Sequence, residues 1–293
     1  MVDFDLRSAN ARLRASNPLI QCITNTVVQQ FSANVLLAVG AAPAMLDHEA
    51  DAAQFTRISS GLLVNFGTAT NQQFLAADAA IDAANEDSKP WVLDPVSIGA
   101  VDFRTTRIRR AANSSPTAIR GNASEIAALA GVGLGGRGVD STDEVDAVIP
   151  AAAELAKSTG AIVAVSGPKD AIVAHIDGVD HVARLSGGHS FMPLVIGAGC
   201  SLGAVTAAYL VGATTASARF EAVVAAHAHF KVAGETAAEG ARGPGSFSVN
   251  FLDALHTITG DDLAGVHVES DRVESSAIDA EAIETDPIDG AQS

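Results

Sequence analysis

The sequence predicts an α/β fold: a mostly parallel central sheet flanked by helices, with an antiparallel edge. Three observations carry this expectation. Short apolar runs rich in β-formers, Leu62–Phe66, Trp91–Leu93 and Ile162–Val165, read as strands buried on both faces. They alternate with Ala-rich stretches of helical period, the pattern of parallel strands joined by crossover helices. Finally, Ala171–Ile176 and His181–Leu185 flank Asp177-Gly178-Val179-Asp180, where Asp-Gly supplies the positive φ of a tight turn, so this pair reads as a β-hairpin.

Along the chain, helical period first appears at Gln29–Val39. The strand Leu62–Phe66 ends at Gly67-Thr68 and feeds a helix at Thr70–Asn85; Trp91–Leu93 ends at Asp94-Pro95, where proline cannot donate to a ladder. Helices follow near Glu125–Leu129 and Asp143–Ser158, and the strand Ile162–Val165 stops at Ser166-Gly167. After the hairpin, Ser201–Val211 and Ala218–Glu239 are core helices; the first is too short and too rich in small residues to span a bilayer. Turns at the carboxyl ends of parallel strands are where open α/β sheets bind ligands, so Gly67-Thr68, Asp94-Pro95 and Ser166-Gly167 are the first candidate site.

Composition narrows the function. At 293 residues and 48 % apolar, the chain buries a sizeable core and is not a disordered protein. Its net charge of −16 excludes a nucleic-acid partner, which needs a basic face, and equally disfavours an anionic membrane surface. Only four of the 18 basic residues are lysines, which points either to a high-salt interior or to acid concentrated in one segment. The charge is indeed uneven: residues 261–293 hold ten acids and one base, −9 of the total, which predicts a globular domain over 1–260 and an acidic, disordered tail over 261–293. The Gly-rich run from Gly131 to Gly138 reads either as a linker or as a surface loop. Two distant cysteines, Cys22 and Cys200, lack disulfide or zinc spacing, and the N-terminus carries no basic segment with an apolar run. A reducing cytoplasm is the expectation.

The segment richest in chemistry is Gly197-Ala198-Gly199-Cys200, set directly before an apolar helix. Backbone N–H groups of such a turn converge at the positive end of the helix dipole and can bind an anion; the other reading is a tight turn packed on a strand. Asp94 at a strand end and Glu125 in Asn122-Ala123-Ser124-Glu125 suit Mg²⁺ held through waters beside a phosphate, although Glu125 is also a natural first-turn acid behind an Asn or Ser cap. Arg120 offers a bidentate fork for phosphate or a surface ion pair. The sequence has no Gly-x4-Gly-Lys-Ser/Thr, no kinase-type His-Arg-Asp and no Gly-x-Gly-x-x-Gly between a strand and a helix, so the P-loop, protein-kinase and dinucleotide-binding classes fall away. His227 and His229, two apart on a helix, lack metal-pair spacing and are expected at a surface or subunit contact; for His189, near the anion turn, an approach to the nucleotide or a neighbouring chain is the less favoured of its readings.

Ordered motifs then accumulate from Asn17 to Leu255: Cys22-Ile23-Thr24-Asn25 with Asn34, Gly40 to Met45, Asn65-Phe66-Gly67-Thr68, Leu93-Asp94-Pro95-Val96 and Ile119 to Ile126. Gly138-Val139-Asp140-Ser141, Ser166 to Asp170, Gly197 to Cys200 and Gly243-Pro244-Gly245-Ser246-Phe247 with Leu252-Asp253 complete the series. In these the chain resembles the hydroxyethylthiazole kinases, ribokinase-like enzymes of thiamine salvage; Arg-Gly-Asn-x-x-Glu and Gly-x-Gly-Cys are the most specific stretches. The resemblance implies ATP- and Mg²⁺-dependent phosphorylation of the primary alcohol of 4-methyl-5-(2-hydroxyethyl)thiazole, in a cytoplasmic homotrimer with thiazole sites near subunit contacts. It implies that Gly197 and Gly199 form the anion hole, with Cys200 positioning the hydroxyl or, less simply, acting as base. Met45 and Gly197 match substrate contacts, with Asn25, Val27, Gly67 and Thr68 lining the thiazole pocket. Arg120, Asn122 and Ser166 fall on the ATP side, and Asp94 and Glu125 on the magnesium side. A methionine suits a heteroaromatic face, although a buried Met also serves as core filler. Three departures stand out: Ala198 and Ser166 where the family commonly has Thr, and Ser97 where Gly is frequent. Alternatives are a kinase of another alcohol such as hydroxymethylpyrimidine, which substrate competition would separate, and a dehydratase of hydrated nicotinamide cofactors, which typically has Asp at the Cys200 position. A non-catalytic vitamin-binding protein would have lost Asp94, Glu125 and Arg120.

Overall fold

The computed structural model describes residues 4–132 and 142–273. Asp5 caps the first helix, α1 (Leu6–Ser16), its carboxylate accepting from Ser8 N at 3.0 Å. Then come β1 (Leu19–Ile23), α2 (Gln29–Val39), β2 (Ala42–Ala44), α3 (Ala52–Ile58) and β3 (Gly61–Asn65). Next are α4 (Asn71–Glu86), opened by a Thr70/Gln73 capping box, β4 (Trp91–Asp94), α5 (Asp102–Ala112), β5 (Ala118–Asn122) and α6 (Ala123–Ala130). The second half holds α7 (Thr142–Thr159), β6 (Ile162–Ser166), β7 (Lys169–Ile176), β8 (Val179–Ser186), α8 (Ala198–Leu210), α9 (Ala216–Ala238), α10 (Pro244–Thr257), α11 (Gly260–Ala264) and β9 (Glu269–Arg272).

Among the described residues the strands form one nine-stranded sheet in the order β2-β1-β3-β4-β5-β6-β7-β8-β9, parallel from β2 to β6 and antiparallel from β6 to β9. The expected parallel sheet with an antiparallel edge is therefore the observed one. The inner strands β1 and β3 to β6 are buried on both faces and their side chains alternate between two cores. Leu63 and Val92 point into the layer of α1, α2, α8, α9 and α10, whereas Leu62, Val64, Trp91 and Leu93 point into the layer of α4 to α7. Each such side chain contributes about 1.5–3 kcal/mol by leaving water. Pro43 sits in β2 at the sheet edge, where a missing N–H costs no ladder bond.

Regular structure continues past the expected boundary at residue 260. Residues beyond it form α11, capped by Thr259 and Asp262, and β9, which pairs with β8 from His181↔Arg272 to Arg184↔Glu269. Acidic composition misled here, because Glu269 and Asp271 are matched by Lys169 (2.6 Å) and Arg184 (3.4 Å) and line an otherwise unpaired sheet edge. The rest of the acidic tail, and Gly133–Gly138 of the Gly-rich run, lie outside the described residues. No helix among the described residues is long and apolar enough to cross a membrane.

Candidate active site at the carboxyl ends of the strands

Turns from β1, β3, β4, β5 and β6 open on the same end of the sheet, and the start of α8 closes over them. Gly197, at φ 95°, is the N-cap of α8 and supplies no capping side chain. A Cβ there would also stand 3.0 Å from the Phe31 ring, so glycine is required on two counts. The Ala198 amide bonds Val195 O, but those of Gly199 and Cys200 have no acceptor among the described residues. Two free amides at a helix N-terminus form an anion site. Arg120 lies against it: a Cβ added at Gly199 would be 3.5 Å from both guanidinium Nη atoms.

A chain of polar contacts runs beneath this turn. Asn25 Nδ2 donates to Cys200 Sγ (3.4 Å) and to Asn65 Oδ1 (3.2 Å), and Asn65 Nδ2 donates to Asp94 Oδ2 (2.9 Å). Asp94 in turn faces Arg120 Nη1 at 3.8 Å. Burial, with the nearby charge of Glu125, pushes the Asp94 carboxyl up to about 7 against the opposing pull of Arg120 and Asn65. Burial raises the Cys200 thiol as well, and the charge of Asp94 adds to that, outweighing Asn25, Asn65 and Arg120. The helix start therefore does not make Cys200 a ready thiolate. Gly203, one turn further along α8, brings the helix against β4: a Cβ there would meet Leu63 Cδ1 at 3.0 Å and Asp94 Oδ2 at 3.6 Å.

Glu125 takes the first-turn position expected of it. Its Oε2 accepts from Asn122 N (2.9 Å) while Asn122 Oδ1 accepts from Glu125 N (2.9 Å), a reciprocal capping box at the start of α6. The same carboxylate is close enough to Asp94 to raise its pKa.

A model of the hydroxyethylthiazole kinase family matches residues 11–261. The chain belongs to the hydroxyethylthiazole kinase family. It is 50 % identical over 256 residues to the hydroxyethylthiazole kinase of Corynebacterium glutamicum (strain R), covering 87 % of this chain and 94 % of that protein. It is 49 % identical over 244 residues to that of Klebsiella pneumoniae (strain 342), covering 83 % and 92 %. Among solved structures, the hydroxyethylthiazole kinase protein of Pyrococcus horikoshii OT3 superposes with a TM-score of 0.79 at 31 % identity over 92 % of this chain and 99 % of that one. Pyridoxal kinase from Staphylococcus aureus in complex with AMP-PCP and pyridoxal matches at 0.58 and 16 % identity, a likeness of fold, over 87 % and 98 %. The fold is ribokinase-like, and the protein is a phosphotransferase with an alcohol acceptor.

In this hydroxyethylthiazole kinase family member the structure joins most of the residues singled out from sequence. Asn25, Asp94, Arg120, Gly199 and Cys200 share the network above. Gly67 packs on Asn25, with Cβ space closed at 3.1 Å, and Thr68 Oγ1 accepts from Thr26 N at 2.9 Å, tying two of the turns together. Met45 is half-buried against the core beside Leu46, whose carbonyl accepts from Gln21 Nε2 at 3.0 Å. Val27 is 68 % exposed on the β1–α2 turn. Ser166 ends β6 with its Oγ buried and unpartnered among the described residues. Ser97 adopts φ 74°, the left-handed conformation that glycine enters without strain, which accounts physically for glycine being frequent there.

Other findings were not foreseen. Asn65 links two expected residues; the sequence places it in the Asn65-Phe66-Gly67-Thr68 motif and at a strand end without assigning it a role. His227 and His229 are buried, not at a surface. His227 Nδ1 meets Asp170 Oδ2 at 2.7 Å, and His229 meets the Tyr209 hydroxyl (2.8 Å) and Leu255 O (3.0 Å). Sequence spacing excluded a metal pair but could not reveal the acceptors on other elements. His189 packs on Phe191 and Phe247, ring centroids 4.7 and 5.9 Å away. A cavity of about 470 Å³ between β8, α9 and the C-terminal segment, lined by Arg184, Lys231, Glu235, His267 and Glu269, contains none of the expected site residues. The open turn cluster, with its free amides and unpartnered buried polar atoms, is the candidate site.

Burial alone would raise Asp170, but the charge of Lys231, the bond to His227 and the Gly167 amide hold its carboxyl at about 2. A folded-state value below the ordinary carboxylate value, near 3.9, means that its stabilisation is present above about pH 4 and is lost as pH falls through about 2. Urea unfolding across this window is expected to show the wild type losing stability more steeply than Asp170→Asn; parallel slopes would remove Asp170 from the acid response.

Proposed function

We propose that the protein transfers the γ-phosphoryl group of ATP to the primary alcohol of 4-methyl-5-(2-hydroxyethyl)thiazole. The observation that carries this reading is the meeting of two unpartnered amides, those of Gly199 and Cys200, with the Arg120 guanidinium and the Cys200 thiol at one helix start. In the transfer the alcohol oxygen forms its bond to the γ-phosphorus while the bond to the β–γ bridging oxygen breaks. ADP leaves, and the hydroxyl proton is carried off on phosphate or water. The amides, the helix dipole and Arg120 stabilise charge on the transferring group, and Cys200, as a neutral thiol hydrogen-bonded to Asn25, orients the hydroxyl. Asn25, Val27, Met45, Gly67, Thr68 and Gly197 form the thiazole side; Arg120, Asn122 and Ser166 form the nucleotide side.

The donors fit magnesium bound through waters. Asp94 Oδ1 is buried without a partner, Glu125 commits one oxygen to its cap, and two carboxylates with substrate phosphates are an ordinary magnesium set. No group of three or more His, Cys, Asp or Glu suited to a metal occurs among the described residues, in keeping with a site completed by ATP and water. Bound magnesium would neutralise developing phosphate charge. Glu125→Gln is expected to raise the Mg²⁺ concentration needed for half-maximal rate by about tenfold, in line with losing one charge-assisted contact; an unchanged requirement would take Glu125 out of the metal side.

A cytoplasmic homotrimer completes the reading. Exposed Val27, Leu194 and Ile196 flank the site mouth, apolar surface of the kind a second copy covers. The test is ADP formation by the purified chain: turnover with Mg²⁺ and ATP should appear only when the thiazole alcohol is added. Normal ATP binding without thiazole-dependent ADP would overturn the substrate.

A further inference from the structure

Beneath the turn that follows β6 lies a buried charged cluster to which the chemistry above gives no role. His227 and Lys231 stand four residues apart on α9 and so share one face, which meets Asp170 near the start of β7. Lys231 Nζ donates to Gly167 O (2.7 Å) and Pro168 O (3.1 Å) and forms an ion pair with Asp170 Oδ1 at 3.0 Å. Asp170 Oδ1 also accepts from Gly167 N (2.9 Å), and Oδ2 pairs with His227 Nδ1 (2.7 Å). Exposure is 7 % for Lys231, 3 % for Asp170 and 0 % for His227. Lysine and aspartate are rarely buried so deeply unless paired, and here both are spent on the backbone of two consecutive residues, Gly167 and Pro168.

Those two residues directly follow Ser166, whose Oγ is buried without a hydrogen-bond partner among the described residues. On its other side, His227 Nε2 is buried without a partner among the described residues, as is Arg120 Nε. Burial, together with the charges of Arg120 and Lys231, outweighs Asp170 and holds His227 in its neutral form, so its Nδ1–H donates to Asp170. The cluster thus fixes the turn from behind while its far edge borders the guanidinium of Arg120. A turn ordered before ligand arrives spares binding the entropy of ordering it.

We propose that His227, Asp170 and Lys231 are positioning residues for the Ser166–Pro168 turn, setting the affinity for ATP from α9 without touching the nucleotide. The proposal rests on the reading of Ser166 as an ATP contact. A merely structural staple would affect both substrates or only stability; a positioning device splits them, because the thiazole-side residues sit on other turns.

The test uses the full chain with Mg²⁺, measuring KM for ATP and for the thiazole alcohol separately, and the Kd of a non-hydrolysable ATP analogue by calorimetry. Lys231→Met should raise the ATP KM and the analogue Kd by about tenfold, the loss expected for hydrogen bonds to a charged group, with the alcohol KM within about twofold of wild type. His227→Leu, which leaves the Asp170–Lys231 pair standing, should move the ATP values in the same direction, and His227→Asn, which retains a donor at the Nδ1 position, should restore them. If Lys231→Met does not fold, the His227 pair decides. Wild-type ATP values in these variants, or equal rises for both substrates, would overturn the proposal. Ser166→Ala separates the two levels. If it leaves ATP binding unchanged, the turn is not a nucleotide contact and the underlying reading fails. If it weakens ATP binding while Lys231→Met and His227→Leu do not, the positioning role alone falls.

Discussion

Cys200→Ala should turn over about a hundredfold more slowly than the wild type, the size of loss expected when a reacting group is left misplaced by an ångström, while its KM for ATP stays within about twofold. The thiol is held by Asn25 at 3.4 Å, and burial and Asp94 push its pKa above the ordinary thiol range, so it meets the substrate protonated at neutral pH. A protonated thiol can hydrogen-bond the alcohol but cannot take its proton, and a loose phosphoryl-transfer transition state does not demand a strong base. The role is distinguishable from base catalysis by pH. With Cys200 as a positioning group, the wild-type to Cys200→Ala ratio of kcat stays level between pH 7 and 9, whereas a thiolate base makes the ratio climb as the thiol ionises. Undiminished turnover in Cys200→Ala would remove the residue from the mechanism altogether. Asn25→Ala should share part of the loss, because Asn25 is what holds Sγ in place.

The limits of reading the sequence follow from where the interactions lie. Helices and strands with strong periodicity were legible: α2 begins and ends where its pattern does, and the Asp-Gly hairpin became β7 and β8. Elements whose reason is tertiary were not. β2 is three residues including a proline, and exists because it pairs with β1; β9 is acidic, and exists because Lys169 and Arg184 receive it. The anion turn was legible because glycine and a helix start are local signals, and Asp94 because a strand end before proline is one. Asn65 was not, since its value is that Asn25 and Asp94 stand on either side of it in space, forty and twenty-nine residues away in sequence. The α9 cluster left one readable trace, a His and a Lys at i, i+4 on the Ala- and Val-rich middle of the helix, but their partners on the β6–β7 turn come from the fold.

Arg120→Met should lower stability in urea unfolding above about pH 8, by up to the roughly 3–5 kcal/mol of stranding one partner of a buried ion pair, and by much less near pH 6, where Asp94, already pushed up to about 7, takes a proton instead. Asp94 is fully buried, its Oδ1 has no partner, and without the guanidinium at 3.8 Å its charge has only the Asn65 amide left. The same change should raise the KM for ATP by about tenfold or more, because the guanidinium fork beside Gly199 adds a cationic donor to the amides of the anion turn. These two losses have different origins and can be separated. Arg120→Met combined with Asp94→Asn removes the stranded charge and should recover most of the stability, as coupled partners do in a double-mutant cycle, yet it should recover none of the activity. Recovery of both would mean that Arg120 serves only to neutralise Asp94. Recovery of neither would mean that the stability lost on removing Arg120 comes from its packing among β5, β6 and α8 rather than from charge. Arg120→Lys sharpens the distinction: a point charge can still face Asp94, so stability should fall less than in Arg120→Met, but a single ammonium cannot reproduce the planar fork, and ATP affinity should remain impaired.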